Sequence, residues 1–318
     1  MVPAPAVALT IGDPNGIGPE IAVKAAAVLA GAWPEPPILV GDQAVIEHYV
    51  ALHAPRVLVR IAAVDALPAG AFQPGTTSAA AGAATVAYVE AALELVRAGR
   101  ASAIVACPHS ETAVNAAGIA FSGYPGLLAR LLGVAEDRVF LMLAGGGLRI
   151  VHATLHERLR DALDRLTPEL VEAAALAAVA ALRTMGIAEP RLGMFGINPH
   201  AGEDGLFGDD DERITAPAVR RLRAAGIDVE GPAGADVLLA QRDRDAYVAM
   251  YHDQGRVPVK LLAPRASVAL AIGTGVLFAS VGHGSAFDIA GRGVADPTAT
   301  VRALELVAPP AIRAPATR

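Results

Sequence analysis

At 318 residues with 53% hydrophobic content, the chain can bury a large core and exceeds the size at which one core usually splits, so two lobes with a cleft between them are expected. A formal net charge of −6, with no Lys/Arg-dense stretch carrying interleaved aromatics, argues against nucleic acid as a partner. The single cysteine, Cys107, excludes an internal disulfide and a cysteine-cluster zinc site, and suits a reducing compartment.

In chain order, "MVPAPAVALTIGDPNG" has no basic leader, and its apolar stretch is too short for a signal sequence. Residues 6–12, 37–41, 102–107, 139–144, 148–154, 191–197, 247–251 and 268–273 read as buried strands. Between them, 17–30, 78–99, 168–186 and 211–225 read as helices, two of them with Pro168 and Pro217 near their starts. The most apolar helix candidate, from Leu170, is shorter than the roughly 20 residues that span a bilayer and carries Glu172, so a cytoplasmic protein without membrane contact is expected. The alternation implies a largely parallel α/β sheet covered by helices, with no internal repeat.

Chemistry in such a sheet collects at the carboxyl ends of strands. His48 and His53 fall in a polar helix and its exit, whereas His156, His200, His252 and His283 each follow a strand-like run. Three histidines with an open position make a catalytic metal site, but residues this far apart carry no spacing signature, and each could instead cap its own loop. The stretch "AMYHDQGRVPVK" (249–260) is the densest, placing His252 beside Asp253 with Lys260 eight positions on. Near the start, "GDPNGIGPEI" (12–21) follows a strand and opens a helix, yet it is not the G-x-G-x-x-G dinucleotide fingerprint.

"GDPNGIGPEI" and "HGSAFDIAGRGVADP" (283–297) resemble segments of the β-decarboxylating isocitrate and isopropylmalate dehydrogenases. With "NPHAGE" (198–203) and "YHDQG" (251–255) added, the chain resembles the 4-hydroxythreonine-4-phosphate dehydrogenase family from residue 5 to about 308. That resemblance implies two α/β domains of the isocitrate/isopropylmalate dehydrogenase-like fold: an NAD-binding domain, 1–125 plus 280–318, and a metal-binding and dimerisation domain, 126–279. It implies that His156, His200 and His252 bind a divalent metal, one of them across a homodimer interface. Zinc is the first choice, with cobalt, iron, manganese or magnesium as alternatives. Asp253 would orient His252 or shuttle a proton, or instead cap the following helix. Asp288 would contact the adenosine ribose and favour NAD over NADP, with His283, Gly284, Gly231 and Asp236 as further cofactor positions.

The departures from that pattern bear on substrate. Family members acting on a phosphate ester read G-H-T-E where this chain has Gly123-Tyr124-Pro125-Gly126, and P-I-N-K where it has Pro108-His109-Ser110-Glu111, with Asn and Arg at the positions of Ala269 and Phe278. Loss of these donors argues against a phosphate, while Lys260 still predicts an anion. The segments "ACPHSETA", "AGIAFSGYPGLLA", "LRIVHATLHE", "GADVLLAQR" and "SVGHGSAFDIAGRGVAD" resemble one branch of the family, the terephthalate dihydrodiol dehydrogenases. The resemblance implies oxidative decarboxylation of 1,2-dihydroxy-3,5-cyclohexadiene-1,4-dicarboxylate to protocatechuate. Lys260 and Asp253 are then catalytic candidates, and Lys260, Tyr124, Phe278, His109 and Arg149 substrate contacts. The vitamin B6 enzyme acting on 4-hydroxythreonine 4-phosphate is the second reading, a three-histidine metal hydrolase the third, and a metal-storage protein a fourth that would not need the segment around Asp288.

Overall fold

In the computed structural model, which describes residues 6–264, 266–309 and 312, the fully buried run AVALT forms β1, Ala6–Thr10. There follow α1 (Gly18–Ala30), β2 (Ile38–Gly41), α2 (Gln43–His53), β3 (Arg60–Ala63), α3 (Ala79–Arg97), β4 (Ala101–Ala106), α4 (Glu111–Ala116) and α5 (Tyr124–Leu132). Next come β5 (Phe140–Gly145), β6 (Leu148–His152), α6 (Leu159–Arg165), α7 (Pro168–Thr184), β7 (Arg191–Phe195), α8 (Ala216–Ala224), β8 (Asp228–Ala233), α9 (Ala235–Gln241), β9 (Ala246–Ala249), α10 (His252–Leu262) and β10 (Val268–Ile272). The last two elements are β11 (Leu277–Val281) and α11 (Thr298–Val307). The chain divides into two compact units: unit 1 runs to Leu131 and resumes at Val276, and unit 2 is Leu132–Gly275. Unit 1 resumes before Phe278 because Leu277–Ser280 pair with Ala103–Ala106 of β4.

Unit 1 holds strands in the order β3-β2-β1-β4-β11, every pair parallel. The carboxyl ends of β1, β4 and β11 therefore lie side by side, and the loops starting at Ile11, Cys107 and Gly282 leave one edge. The helices that cover the strands begin where side chains supply acceptors: Ser78 Oγ takes the Ala81 N–H of α3, and Ser110 Oγ the Ala113 N–H of α4. By length and composition α3 is the helix that could cross a membrane, rather than the stretch from Leu170. It packs on β1, β2 and β4 with 56% of its span buried, as a core helix does.

The "GDPNGIGPE" stretch builds the loop after β11 by hydrogen bonding. Ile17 N donates to Ser285 O at 2.9 Å, and a Cβ at Gly16 would stand 2.8 Å from Ser285 Cβ, so only glycine admits that approach. The fully buried Glu20 carboxylate accepts the backbone N–H groups of Ala295 (2.8 Å) and Gly293 (3.2 Å). It also accepts Lys24 Nζ at 2.6 Å, and that ammonium donates in turn to the carbonyls of Gly293 and Ala295. The segment carrying Asp288 is thus clasped at both ends.

Unit 2 holds strands in the order β10-β5-β6-β9-β7-β8. The largely parallel sheet expected from the alternation is found for β6, β9, β7 and β8, but β5 is antiparallel to both β10 and β6. The turn between β5 and β6 is Gly146-Gly147, both with positive φ, the conformation that lets two residues join antiparallel strands. The helix expected over 211–225 is two pieces, a π-helical turn, Asp211–Thr215, running into α8. Buried Asp211 fastens this turn to the loop after β7, accepting Ile197 N and Asn198 N through its two oxygens and the Thr215 hydroxyl through Oδ1.

Glu20→Ala strands Lys24 and two backbone donors, and is expected to destabilise the protein by on the order of 3 kcal/mol, measured as a lowered urea midpoint at unchanged m-value.

Candidate active site

Because β6, β9 and β7 are parallel neighbours, their carboxyl ends bring three loops to one edge of unit 2. His152 ends β6 and His156 follows it; His252 opens α10 just after β9; His200 lies five residues beyond β7. Each position of His252-Asp253-Gln254-Gly255 has a separate task. His252 Nδ1 meets Asp253 Oδ1 at 2.6 Å, which leaves Nε2 for a ligand. Asp253 is inside the first turn of α10, whose N-cap is Tyr251, so the capping role considered for Asp253 is not what the structure has. Gln254 accepts Met250 N–H and donates to Gly196 O, both at 2.7 Å, tying the β9 and β7 loops together. A Cβ at Gly255 would stand 2.6 Å from His152 Nε2, so glycine is what lets α10 approach β6.

The His156 and His252 rings lie 5.2 Å apart at the mouth of a cavity of about 620 Å³ that is also bounded by Arg158, Tyr251 and Asp253. His200 does not join them within the chain: among the described residues no three His, Cys, Asp or Glu side chains are placed to hold a metal. It is exposed instead, its Nδ1 2.7 Å from Glu203 Oε2, on a turn where His200, Ala201, Glu203 and Asp204 all have positive φ. Such non-glycine backbone persists only where the surrounding structure holds it in place. His200 and His252 share one arrangement, a carboxylate on Nδ1 with Nε2 left over, and this donor set fits a divalent metal.

His152, which the sequence reading passed over, is 1% exposed. Its Nδ1 is 3.1 Å from Leu141 O, and burial pulls its pKa down to about 4, so the imidazole is neutral and the unpartnered Nε2 is an acceptor. Lys260, in the last turn of α10, donates to Ser267 Oγ at 2.6 Å; burial and then Arg256 depress its pKa. Arg149 is at the opposite end of β6 from His152, roughly 10 Å away at the usual strand rise, and donates to Asp245 O. That hydrogen bond ties the start of β6 to the segment before β9. Gly231 is required because a Cβ would stand 2.4 Å from Met194 O, and Asp236 raises the pKa of His200 behind the dominant hydrogen bond to Glu203.

In unit 1 the segment after β4, with Phe278 of β11, frames an aromatic cluster. Tyr124 is 4.5 Å from His109 and 4.7 Å from Phe278 by ring centroids, and Phe121 closes on both Tyr124 and His109. Tyr124 and Phe278 are buried, and the Tyr124 hydroxyl has no hydrogen-bond partner. Pro125 is the second residue of α5, where its missing N–H is tolerated, so it has a helix-starting reason as well as removing a donor. Asp13, not singled out from sequence, is fully buried: Oδ1 accepts Asn15 N–H at 2.9 Å, Oδ2 has no partner, and burial raises its pKa to about 6. Nothing but its place after a buried strand could have drawn attention to it. Across the clasped loop, His283 Nδ1 is 3.3 Å from Gly284 O, and exposed Asp288 makes no hydrogen bond or ion pair among the described residues. A free carboxylate on a fixed loop fits the hydroxyls of a ribose.

Burial lowers the His109 pKa from 6.5 to about 4, so the folded state resists a proton that the unfolded chain accepts. Its contribution is whole above pH 6.5 and is lost as pH falls toward 4, up to about 3 kcal/mol. Asp13 works the other way between pH 4 and 6, since the folded state keeps its proton. His109→Phe should therefore flatten the acid limb of stability, leaving the Asp13 slope exposed, in urea midpoints taken from pH 7 to 4.

The family model described as "Pyridoxal phosphate biosynthetic protein PdxA" matches residues 34–307. A 1,2-dihydroxy-3,5-cyclohexadiene-1,4-dicarboxylate dehydrogenase from a Comamonas species is 51% identical, the match covering 95% of this chain and 96% of that one. A crystal structure of a terephthalate 1,2-cis-dihydrodiol dehydrogenase from Burkholderia xenovorans LB400 is 57% identical with a TM-score of 0.81, covering 95% and 97% of the two chains. A 4-hydroxythreonine-4-phosphate dehydrogenase structure from Burkholderia phymatum superimposes with a TM-score of 0.84 at 36% identity, covering 95% and 96%.

Proposed function

Since the chain belongs to the pyridoxal phosphate biosynthetic protein PdxA family, whose matched relatives are dehydrogenases, we propose that it oxidises and decarboxylates 1,2-dihydroxy-3,5-cyclohexadiene-1,4-dicarboxylate to protocatechuate with NAD at a divalent metal. The observation that carries this reading is the buried Tyr124–Phe278 contact beside His109: an apolar wall suits a carbon ring and offers a phosphate dianion no charged donor.

The reaction needs one proton carrier. Lys260, its pKa lowered by burial, takes the proton of the C2 hydroxyl as the hydride leaves C2. The resulting ketone is β to the C1 carboxylate, so the C1–carboxylate bond breaks with its electron pair delocalising onto the C2 oxygen. Carbon dioxide departs, the ring becomes aromatic, and Lys260 returns the proton to the same oxygen. The 283–288 segment would hold NAD, with Asp288 accepting from the ribose 2′-hydroxyl, and bound NAD would supply the hydride acceptor. His156, His252 and His200 of a second copy of the chain would hold a divalent metal, which would supply Lewis acidity; zinc suits three imidazoles, with cobalt, iron, manganese or magnesium as alternatives. Asp253 keeps His252 in the ligating tautomer. The working form is then a homodimer with its site at the interface, and the buried single thiol, Cys107, accords with a cytoplasmic enzyme.

The comparison that tests this is kcat/KM for the diol dicarboxylate against 4-hydroxythreonine 4-phosphate, on one sample with NAD and metal. The diol is expected to be preferred; a preference for the phosphate ester puts the vitamin B6 reaction in its place. Lys260→Ala should lower kcat by about 100-fold or more. Asp288→Ala should raise KM for NAD and narrow the NAD/NADP ratio, and an unchanged ratio would place Asp288 away from the ribose.

A further inference from the structure

Helix α10 carries a basic side chain that the reaction above leaves unused. His252, Arg256 and Lys260 follow at intervals of four residues and so share one strip of the helix, Arg256 about 6 Å along the axis from each of the others. The strip borders the buried seam formed by Gly255 and Val259, and Arg256 is half-buried. Its charge reaches Lys260, where it adds to burial in lowering the pKa. Some arginines of unit 2 have carboxylate partners, Arg158 with Asp161, Arg165 with Glu157, Arg221 with Glu169 and Arg244 with Glu230, and others donate only to backbone carbonyls, as Arg149 does to Asp245 O. Arg256 has no hydrogen bond, ion pair or ring contact among the described residues, and Lys260 has only the Ser267 hydroxyl. A half-buried guanidinium without a carboxylate is costly, and an anion laid against the strip would offset that cost.

We propose that Arg256 receives the carboxylate that the substrate keeps, at C4 of the diol dicarboxylate. The inference rests on the function proposed above. A bidentate guanidinium on the C1 carboxylate would stabilise charge that must vanish as carbon dioxide leaves, and so oppose the reaction. On the C4 carboxylate it holds ground state and transition state alike, which makes Arg256 a positioning residue that sets KM rather than kcat.

The experiment compares wild type with Arg256→Gln and Arg256→Lys, each as the metal-loaded enzyme with NAD. In Arg256→Gln, KM for the diol dicarboxylate should rise about 10- to 100-fold with kcat within about 3-fold and KM for NAD unchanged. Inhibition by protocatechuate, which retains the carboxylate, should weaken by the same factor, and inhibition by catechol, which lacks it, should not change. Arg256→Lys should recover part of the loss, since it restores the charge without the fork, and it carries the test if Arg256→Gln does not fold. An unchanged KM overturns the inference. So does a collapse of kcat at constant KM, which would put Arg256 at the reacting centre, or a loss of dimer in sedimentation, which would pair Arg256 with the second copy. If wild type does not turn over the diol, the proposed function has failed, and calorimetric titration with terephthalate judges Arg256 separately. Weaker binding to Arg256→Gln than to wild type upholds a carboxylate site there; equal binding, or none to wild type, overturns it.

Discussion

Gly255 lets the first turn of α10 close on β6 until a methyl group there would stand 2.6 Å from His152 Nε2 and 2.7 Å from Ile150 Cγ2. The placement of His252, Gln254, Arg256 and Lys260 follows from that approach. With α10 seated, His252 projects from its first residue toward His156, and Gln254 reaches both Met250 and Gly196. The same seating aligns Arg256 and Lys260 along the strip that begins at His252. A larger residue at 255 would shift all of these together, because they are carried by one rigid helix.

Unit 1 depends on a different economy. Thr10 Oγ1, Asp13 Oδ2, the Tyr49 and Tyr124 hydroxyls, Ser285 Oγ and Thr300 Oγ1 are buried without hydrogen-bond partners, and three of these six belong to β1 or the loops at the carboxyl ends of β1 and β11. Leaving such groups unpaired typically costs about 1–3 kcal/mol each, a cost that the unit carries in part at the carboxyl ends of its strands. The Glu20–Lys24 clasp works in the opposite sense, spending a buried carboxylate to fix the loop that presents Asp288. One stretch of sequence, residues 12–24, therefore supplies both a buried carboxyl held partly protonated and the anchor of the neighbouring loop.

Relatives named for a phosphate ester and for a diol dicarboxylate share this fold, so the fold alone does not select the substrate. On the proposed reading, the groups around His252 and Lys260 serve the oxidised hydroxyl, and Arg256, one turn after His252 on α10, serves the carboxylate that is retained.

The sequence by itself determined the local pieces. Apolar runs such as AVALT and VALAI could only be buried strands, and His252 with Asp253 adjacent made an oriented imidazole available wherever that helix started. The short strands β3 and β8 were not legible, since partial exposure and Gly231-Pro232 hide any alternation. Only the tertiary structure decided strand order, and with it which histidines meet. His156 and His252 come within 5.2 Å because Ile150 pairs with Tyr247, a register set by hydrogen bonds between segments far apart in sequence. His152 and Arg256 acquired meaning the same way: burial and charge balance are properties of the packed chain, and no local pattern of residues encodes them.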